Sequence, residues 1–339
     1  MSTWNPLLYT HWYAVARSDA IGTRPLGITV LDTPIALARS QHGDGGLIAL
    51  EDRCPHRHAP LSAGCVKGEH LACPYHGWAF DAQGALREVP GLPSEHTPPG
   101  VRVRAFATCE LDGFVWLRPG PAGADQPNAM VRATDPGTRR FIWQTRWAAN
   151  VVDAMENFLD PLHTHFIHAG LVRSDGARVR ATAQFTPTAE GFSVDYQGLP
   201  AQSGLLYRLF ESERTGERAH FAAPGSTRIE YTYANGSRVL IDLHFTPRGA
   251  HETDVFVTLH VEGRWAPAWA VRLFVWPFLK RVNDQDAAML RLQSDNKARF
   301  GARQGASTAL DLVRGTLEHF WSQGALPPQP ASRAVQMLL

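Results

Sequence analysis

The first third of the chain alternates short apolar segments with turn residues. Runs of apolar and β-branched residues are separated by glycine or proline, a pattern typical of strands joined by tight turns. The segments with this pattern are 12–17, 27–31, 35–39, 46–51 and 114–117. The pattern predicts a small, all-β N-terminal domain over residues 1–118.

The remainder of the chain changes from strand-like to mixed spacing. Residues 119–128 are rich in proline, glycine and alanine and lack apolar periodicity, so we predict a linker there. Residues 147–167 have helical apolar spacing, and helical signals return over 265–301. Between them lie alternating segments, at 183–196, 227–233, 238–245 and 254–261. We therefore predict an α+β domain over 129–339, with an antiparallel sheet and covering helices.

Composition and charge narrow the classes of function. Of 339 residues, 44% are hydrophobic and 19% are charged, which gives two ordinary cores enough apolar material. The net charge of +1 supplies no field to attract nucleic acid. Neither a leader-like N-terminus nor an apolar run of roughly 20 residues is visible, because charge and proline interrupt 265–279. We predict a soluble, cytoplasmic protein that binds neither nucleic acid nor membrane.

Two loops each pair a cysteine with a histidine: Cys54 with His56, and Cys73 with His76. A [2Fe-2S] cluster can take two thiolates on one iron and two imidazoles on the other, which raises its potential above that of an all-cysteine cluster. Zinc is the alternative, since two cysteines and two histidines also satisfy it. The order Cys-x-His and Cys-x-x-His favours the cluster. The other two cysteines, at positions 65 and 109, are interpreted as buried reduced thiols.

On these residues, the segment 9–93 resembles the N-terminal domain of the Rieske-type ring-hydroxylating oxygenases. Respiratory Rieske proteins have an additional cysteine in each loop, where this sequence has Ala59 and Tyr75, and a serine where it has Trp78. The resemblance therefore implies an oxygenase-type cluster with a lower potential than the respiratory kind. His58 is interpreted as a surface residue or as one that supports a ligand.

Three histidines and several acidic or amide side chains lie close together over 155–168. A non-haem Fe(II) site needs two imidazoles and one carboxylate on one face, with the opposite face open to oxygen. Helix geometry favours His165 with His168, because His163 and His168 are about 140° apart around a regular helix. Spacing alone leaves the pair open, and a buried polar network without metal is a further alternative.

The spacing Asn157-x-x-Asp160-x-x-His163-x4-His168 is similar to that of Rieske oxygenase catalytic domains. This resemblance implies that His163 and His168 bind the iron and that the third histidine does not. It also implies that the helix ends or bends between the two ligands, with Pro161 contributing. Asn157 would lie near the iron.

The third ligand has to come from a distant carboxylate. Residues 278–297 offer Asp284, Asp286 and Asp295. On a helical wheel Asp286 shares the apolar face with Leu290, whereas Asp284 lies among basic residues. A carboxylate on a buried face is costly unless it binds a metal. We predict Asp286, which also matches the Asp-x6-Gln ending of the family at Gln293.

The resemblance further implies a homotrimer in which the cluster of one subunit lies beside the iron of its neighbour. In this arrangement Asp160 would connect the cluster ligand His76 with the iron ligand His163, since residues three apart can share a helical face. It implies a catalytic domain of the helix-grip kind. An apolar pocket is expected around Leu159, Phe166 and the aromatic residues 274 and 276.

No glycine-rich nucleotide motif is present, so electrons from NAD(P)H would come through a separate reductase or ferredoxin. The chain is similar to the single-subunit branch of the family, which implies hydroxylation or demethylation of a small apolar or aromatic substrate with O2 as co-substrate. The alternative within the family is a cis-dihydroxylating dioxygenase. Alternatives from other classes are a Rieske electron carrier and a ligand-binding module.

Overall fold

The computed structural model describes residues 4–42, 45–130, 138–172, 178–198, 212–263, 269, 271–301, 305–328 and 331–339, and of residue 274 only the backbone. The chain forms two compact units, one of Met1–Pro127 with Thr246–Gly249 and one of Asn128–Phe245 with Ala250–Leu339. The predicted linker, 119–128, covers the position where the first unit ends, and its role as a linker stays a prediction. Among the described residues no helix combines the length and hydropathy that a membrane crossing requires.

The first unit is built from short antiparallel strands. Three sheets have the orders β1-β10-β9, β2-β3-β4 and β5-β6-β7-β8. All five predicted strands overlap strands of these sheets. The strands are β1 Tyr13–Arg17, β2 Leu26–Val30, β3 Thr33–Arg39, β4 Leu47–Glu51, β5 Cys65–Lys67, β6 His70–Ala72, β7 Ala79–Phe80, β8 Leu86–Glu88, β9 Ala107–Leu111 and β10 Phe114–Arg118.

The core of the first unit includes the two cysteines of the paired loops. Cys54 and Cys73 pack with Leu61, Leu71 and Phe80 in one buried cluster. Burial of these apolar side chains anchors the two loops at their cysteine ends. The loops therefore extend from a fixed base.

The second unit contains an eight-stranded sheet of order β11-β17-β16-β15-β14-β13-β12-β18. The predicted alternating segments lie in β12, β13, β15, β16 and β17. The strands β11, β14 and β18 were not predicted. The bounds are β11 Arg139–Trp147, β12 Arg180–Pro187, β13 Gly191–Gln197, β14 Arg214–Ala222, β15 Ser226–Tyr233, β16 Arg238–Gly249, β17 Glu252–Glu262 and β18 Arg333–Leu338.

The predicted helix over 147–167 is shorter than expected. Helix α1 spans Val151–Leu159, begins after the cap Asn150, whose side chain accepts from the Asp153 amide, and ends at Asp160. A proline disfavours helical geometry in the residue before it, and Asp160 precedes Pro161 with an extended backbone. The helix thus ends before both predicted histidine ligands rather than between them, and a 3-10 turn, Leu162–His165, follows.

Two further helices lie in the described part of the second unit. Helix α2, Trp276–Phe300, follows a π-helical turn at Val271–Val275 and ends at Gly301. Helix α3 spans Arg314–Gln323. The helical signal over 265–301 is therefore confirmed from Val271 onward, whereas 264–268 and 270 lie outside the described residues. Of α2, only Phe278, Asp286 and Leu290 are buried.

Candidate metal centres

The two cysteine loops of the first unit have the same backbone hydrogen bonds. In the first loop the Cys54 amide donates to the Ala59 carbonyl, and the Cys54 carbonyl accepts from the His58 amide. In the second, the Cys73 amide donates to the Trp78 carbonyl, and the Cys73 carbonyl accepts from the Gly77 amide. The distances are between 2.8 and 3.1 Å. Each loop is thus one closed turn, fixed by contacts within six consecutive residues.

The four predicted cluster ligands of the first unit lie together. The Cys54 and Cys73 side chains are buried, whereas His56 is half-buried and His76 exposed. The imidazole centroids of the two histidines are 4.7 Å apart. Trp78 stacks on His56 with centroids 4.6 Å apart. The arrangement places both thiols inward and both imidazoles outward.

Electrostatics suit these residues to the roles of ligands. Burial, with the neighbouring Cys73 thiol, raises the pKa of Cys54, so a thiolate there requires a bound cation. Burial and the nearby His76 and Arg57 lower the pKa of His56, which keeps its imidazole neutral. Inward thiols and outward neutral imidazoles fit a cluster that takes two ligands of each kind.

The fifth residue of each loop adopts a left-handed backbone. His58 has φ +60° and Gly77 has φ +72°. A Cβ on Gly77 would lie 2.9 Å from Cγ of Pro90. His58 is exposed, as expected for a surface residue. Its strained backbone shows that the first loop keeps this turn without a glycine.

One interpretation of the remaining cysteines is wrong. Cys65 is exposed rather than buried, because it lies on β5, where Cys65 and Lys67 face solvent and only Val66 faces the core. Cys109 is half-buried. Burial raises the pKa of its thiol, which agrees with an unreactive, reduced side chain.

In the second unit the structure brings together three of the predicted residues. Donor atoms of His163, His168 and Asp286 all lie within 4.8 Å of one another. Oδ1 of Asp286 is 3.6 Å from Nε2 of His163 and 3.0 Å from Nε2 of His168. All three side chains are largely buried, with exposures of 15%, 1% and 11%. Two imidazoles and one carboxylate therefore converge from the turn after α1 and from the middle of α2.

Both imidazoles are oriented through their other ring nitrogen. Nδ1 of His163 lies 2.5 Å from the carbonyl oxygen of Asp160, and Nδ1 of His168 lies 2.9 Å from Oε1 of Gln285. Because each of these oxygens only accepts, Nδ1 is the protonated nitrogen and Nε2 presents a lone pair. Gln285 was not predicted, since only its position beside Asp286 on α2 relates it to the site.

The donor set fits a metal ion. Nε2 of His168 and Oδ1 of Asp286 are buried and lie 3.0 Å apart, but they form no hydrogen bond with each other or with any other described residue. Buried polar atoms left in this state are costly, and a metal bond would satisfy both. Two imidazoles and one carboxylate on one side are the facial ligand set of non-haem Fe(II), although zinc also binds such a set.

The two histidines differ in their electrostatic surroundings. Burial lowers the pKa of His163 below its ordinary value, more strongly than Asp286 and Asp160 raise it. Burial acts in the same direction on His168, but the Asp286 carboxylate outweighs it, and Gln285 assists, so its pKa is raised. The carboxylate thus stabilises positive charge at this point, whether it is carried by a proton or by a metal.

The other candidates of this segment are placed apart from the three ligands. His165 is buried but lies outside the group. Asp284 is exposed, and the side chain of Asp295 is 67% exposed. Among the three aspartates, these positions favour Asp286 as the third ligand, because it lies on the face of α2 that meets α1. The assignment of metal ligands nevertheless stays a prediction.

Asp160 supports His163 in a way that differs from the expectation. It does not share a helical face with His163, because α1 has already ended. Its carboxylate instead accepts from the backbone amides of Leu162, at 2.9 Å, and His163, at 3.3 Å, and its carbonyl orients the imidazole. Asp160 therefore shapes the turn that presents the ligand.

Two cavities of the second unit meet at His163. The larger, about 380 Å³, has apolar and polar lining in nearly equal parts, and its polar side chains include Asn157, Asp160 and Gln293. The smaller, about 50 Å³, lies between α1 and the sheet and is mainly apolar. Leu159 lines both, as expected for a pocket residue. Phe166, also expected there, is 67% exposed and lines neither, because the turn after Leu162 directs it outward.

Comparison with known proteins assigns both units. Residues 11–106 match the family described as Rieske [2Fe-2S] domain, and residues 147–315 match the family described as vanillate O-demethylase oxygenase C-terminal domain. These ranges contain all four predicted cluster ligands and all three converging residues. The chain belongs to the Rieske-type non-haem iron oxygenases, with a Rieske domain followed by an oxygenase domain of the vanillate O-demethylase kind.

Individual relatives agree with this family. The chain is 35% identical over 167 residues to the dicamba O-demethylase oxygenase component of Stenotrophomonas maltophilia, which is 48% of each chain. It is 34% identical over 169 residues to methylxanthine N1-demethylase of Pseudomonas putida, which is 49% of this chain and 47% of the relative. The matched region is thus about half the length of these curated relatives.

A solved structure extends the likeness of fold over nearly the whole chain. Dicamba monooxygenase bound to dicamba superposes with a TM-score of 0.78 at 23% identity, covering 92% of this chain and 96% of that one. The α+β fold with an N-terminal Rieske domain is therefore confirmed.

Proposed function

We propose that this protein is the oxygenase component of a monooxygenase that hydroxylates or demethylates a small, largely apolar or aromatic molecule. The observation that carries the proposal is the convergence of His163, His168 and Asp286 in a chain that also contains a Rieske domain. An electron carrier would need only the first unit. A binding module would not need two buried imidazoles around a carboxylate.

In this proposal each predicted site residue has a role. Cys54, His56, Cys73 and His76 hold the [2Fe-2S] cluster, and His163, His168 and Asp286 hold a mononuclear Fe(II). When bound, the cluster would supply electrons and the iron would supply the position at which O2 is activated. Asp160 keeps His163 in its ligating orientation. Asn157 lines the larger cavity, and its buried Nδ2 has no partner among the described residues, so it is free to bind water.

The overall reaction determines which reactants have to reach the site. Inserting one oxygen atom into a C–H bond consumes O2, two electrons and two protons and yields the hydroxylated product and water. On a methoxy or N-methyl carbon this product loses formaldehyde, which completes a demethylation. The electrons would come from NAD(P)H through a separate reductase or ferredoxin. We propose a homotrimer, in which Asp160 of one subunit approaches His76 of the next.

The substrate class follows from the relatives and from the cavity. Several of the matched curated relatives are named for demethylation of dicamba, methylxanthines or vanillate, and two others are named for monooxygenation of toluene-4-sulfonate. The smaller cavity beside His163, about 50 Å³ in volume, has room for a methyl-sized group rather than for a whole ring. Demethylation of an aromatic ether or amine is therefore favoured over cis-dihydroxylation.

A test is substrate-dependent O2 uptake by iron-reconstituted protein with a generic ferredoxin and reductase, using a panel of methoxy- and N-methyl-arenes and 18O-labelled O2. Formaldehyde release, or a product containing one labelled oxygen, supports the proposal. Two labelled oxygens in the product would favour the dioxygenase alternative. Binding of panel members without any O2 uptake would favour a ligand-binding module.

A further inference from the structure

The smaller cavity of the second unit lies between α1 and the inner strands of the sheet. Apolar side chains form much of its lining, namely Phe158, Leu159, Val172, Ala219 and Ile229. His163 lines the same cavity. At about 50 Å³ the cavity has room for one small substituent of a larger molecule, and a substituent bound there would lie beside the proposed iron site.

The sheet also contributes one acidic side chain to this cavity. Glu217 lies on β14, opposite Tyr231 of β15, and both residues line the cavity. Only 8% of Glu217 is exposed. Burying a carboxylate in this way is costly unless a counter-charge accompanies it.

Arg214 supplies that counter-charge. Its Nη1 lies 2.8 Å from Oε2 of Glu217, and both side chains are 7% exposed. The guanidinium carbon of Arg214 lies 4.0 Å from the centroid of the Tyr231 ring. Contacts with a carboxylate and an aromatic face hold the arginine, and the arginine holds Glu217. The carboxylate is therefore a fixed feature of the cavity wall.

A second buried pair in the same sheet has a different position. Arg228 of β15 and Asp242 of β16 are bonded at 2.6 Å, with exposures of 14% and 2%. Arg228 is adjacent to Ile229 and so faces the opposite side of the sheet, because side chains alternate along a strand. Neither residue of this pair lines the smaller cavity. It provides a matched control.

From this placement we infer that Glu217 is a specificity-determining residue, which accepts a hydrogen bond from an O–H or N–H group of the substrate. This inference rests on the proposed oxygenase function and deepens it. A carboxylate accepts several hydrogen bonds, so a contact with Arg214 is compatible with one to a substrate. The fixed negative charge also opposes a carboxylate or sulfonate group at the same end of the substrate. The favoured class is an aromatic molecule that places a hydroxyl or amine substituent in this cavity.

The test compares three para-substituted methoxybenzenes by calorimetric titration of the holoprotein without reductant. They are 4-methoxyphenol and 4-methoxytoluene, which have the same number of non-hydrogen atoms, and the larger anion 4-methoxybenzoate. A charge-assisted hydrogen bond predicts that wild-type protein binds the phenol at least about tenfold more tightly than the toluene analogue. The benzoate should bind more weakly than either. Because no turnover is needed, this result is independent of the reaction that the protein catalyses.

Two variants and one control link the preference to the residue. In Glu217→Gln the preference for the phenol over the toluene analogue should fall by about threefold or more, and the benzoate should bind more tightly than in wild type. The double variant Arg214→Met with Glu217→Leu removes both buried charges, so it does not leave an unpaired one, and should lose the preference entirely. Asp242→Asn should keep the wild-type order of the three probes.

Several outcomes would overturn the inference. These are tighter binding of the benzoate than of the phenol by wild-type protein, an unchanged preference in both Glu217 variants, and no measurable binding of any probe. If Glu217→Gln does not fold, as judged by circular dichroism, the inference is tested by the double variant and by the order in which wild-type protein binds the three probes. A probe preference that depends on Glu217, together with no O2 uptake in the presence of reductase, would contradict the proposed function and leave the specificity inference standing.

Discussion

The two candidate metal centres are constructed in opposite ways. The cysteine loops of the first unit are closed turns, in which every backbone contact joins residues within six positions of one another. The site of the second unit joins the turn after α1 to the middle of α2, and His168 reaches Gln285 across 117 positions of sequence. The first centre thus depends on local geometry, while the second depends on the packing of helices that hold distant ligands together.

Ion pairs connect the helices of the second unit. Asp153 of α1 is 2% exposed and lies 2.5 Å from Nζ of Lys297 on α2 and 2.7 Å from Nη1 of Arg314 on α3. Arg314 also contacts Glu156 at 2.6 Å. One buried carboxylate therefore connects all three helices. Damage to this connection should affect the second centre and spare the first.

The largest effect is expected for Asp286→Asn, which removes the carboxylate shared by both imidazoles. Loss of one of three protein ligands should abolish mononuclear iron binding and O2 uptake, while the visible spectrum of the cluster persists. Iron analysis and absorbance spectroscopy measure the two separately. Asp284→Asn, an exposed change on the same helix, is the matched control and should keep both metals.

Asp153→Asn should have the next largest effect. It removes the carboxylate that Lys297 and Arg314 share, while Arg314 keeps its contacts with Glu156 and Glu318. The expected cost is about 3 kcal/mol in the free energy of unfolding, the lower end for buried pairs because both cations reach solvent. Denaturant unfolding measures this loss. Asp195→Asn, which breaks the more exposed pair with Arg218, should cost less than about 1 kcal/mol. Equal losses in the two variants would contradict the role of Asp153.

The same residue predicts a dependence of stability on pH. Burial raises the pKa of Asp153, but Lys297 and Arg314 outweigh it, so the pKa lies below the ordinary value of 3.8. Its contribution to stability is therefore complete above that value and is lost as the pH falls through the folded pKa. In Asp153→Asn the free energy of unfolding should lack this part of its decrease at low pH.

Gln285→Leu tests how far the second centre depends on one hydrogen bond, the contact between Gln285 and His168. Without the amide oxygen, Nδ1 of His168 loses the acceptor that orients the ring, and the affinity for Fe(II) should fall by about 10- to 100-fold. Competition with a chelator measures it. Gln285→Glu keeps an acceptor and should retain affinity nearer to that of wild type. An unchanged affinity in the leucine variant would show that Gln285 does not orient the ligand.

The smallest effects are expected in the cysteine loops. Gly77→Ala places a Cβ on a left-handed backbone and against Pro90, which should cost about 1–3 kcal/mol and speed bleaching of the cluster. His58→Gly at the equivalent position relieves the backbone strain of the first loop, but glycine raises the conformational entropy of the unfolded chain. Its net effect should stay within about 0.5 kcal/mol. A larger loss for His58→Gly than for Gly77→Ala would contradict the equivalence of the loops.

These contrasts explain what could be predicted from the sequence. The predicted cluster ligands form a local motif, so Cys54, His56, Cys73 and His76 could be proposed without knowledge of the fold. Asp286 could be named because its burial conflicts with its charge on an otherwise amphipathic helix. The choice between His163 and His165 could not come from helical periodicity, because the helix predicted over 147–167 ends at Leu159, before both residues.

Other features depend on tertiary structure and carried no local signal. Gln285 reaches His168 only because α2 lies beside the turn after α1. The strand β14, which carries Glu217, has mixed spacing with a register shift between Arg214 and Gly216, so the alternation rule missed it. The exposed side of Cys65 follows from strand pairing rather than from residue type.

The central claim is that one chain holds two unlike iron centres, and the ratio of iron to acid-labile sulfide tests it most directly. Anaerobically reconstituted wild-type protein should contain about three iron atoms and about two sulfides per chain, and Asp286→Asn about two of each. A wild-type ratio of about two iron atoms to two sulfides, or an iron content that Asp286→Asn leaves unchanged, would contradict the account.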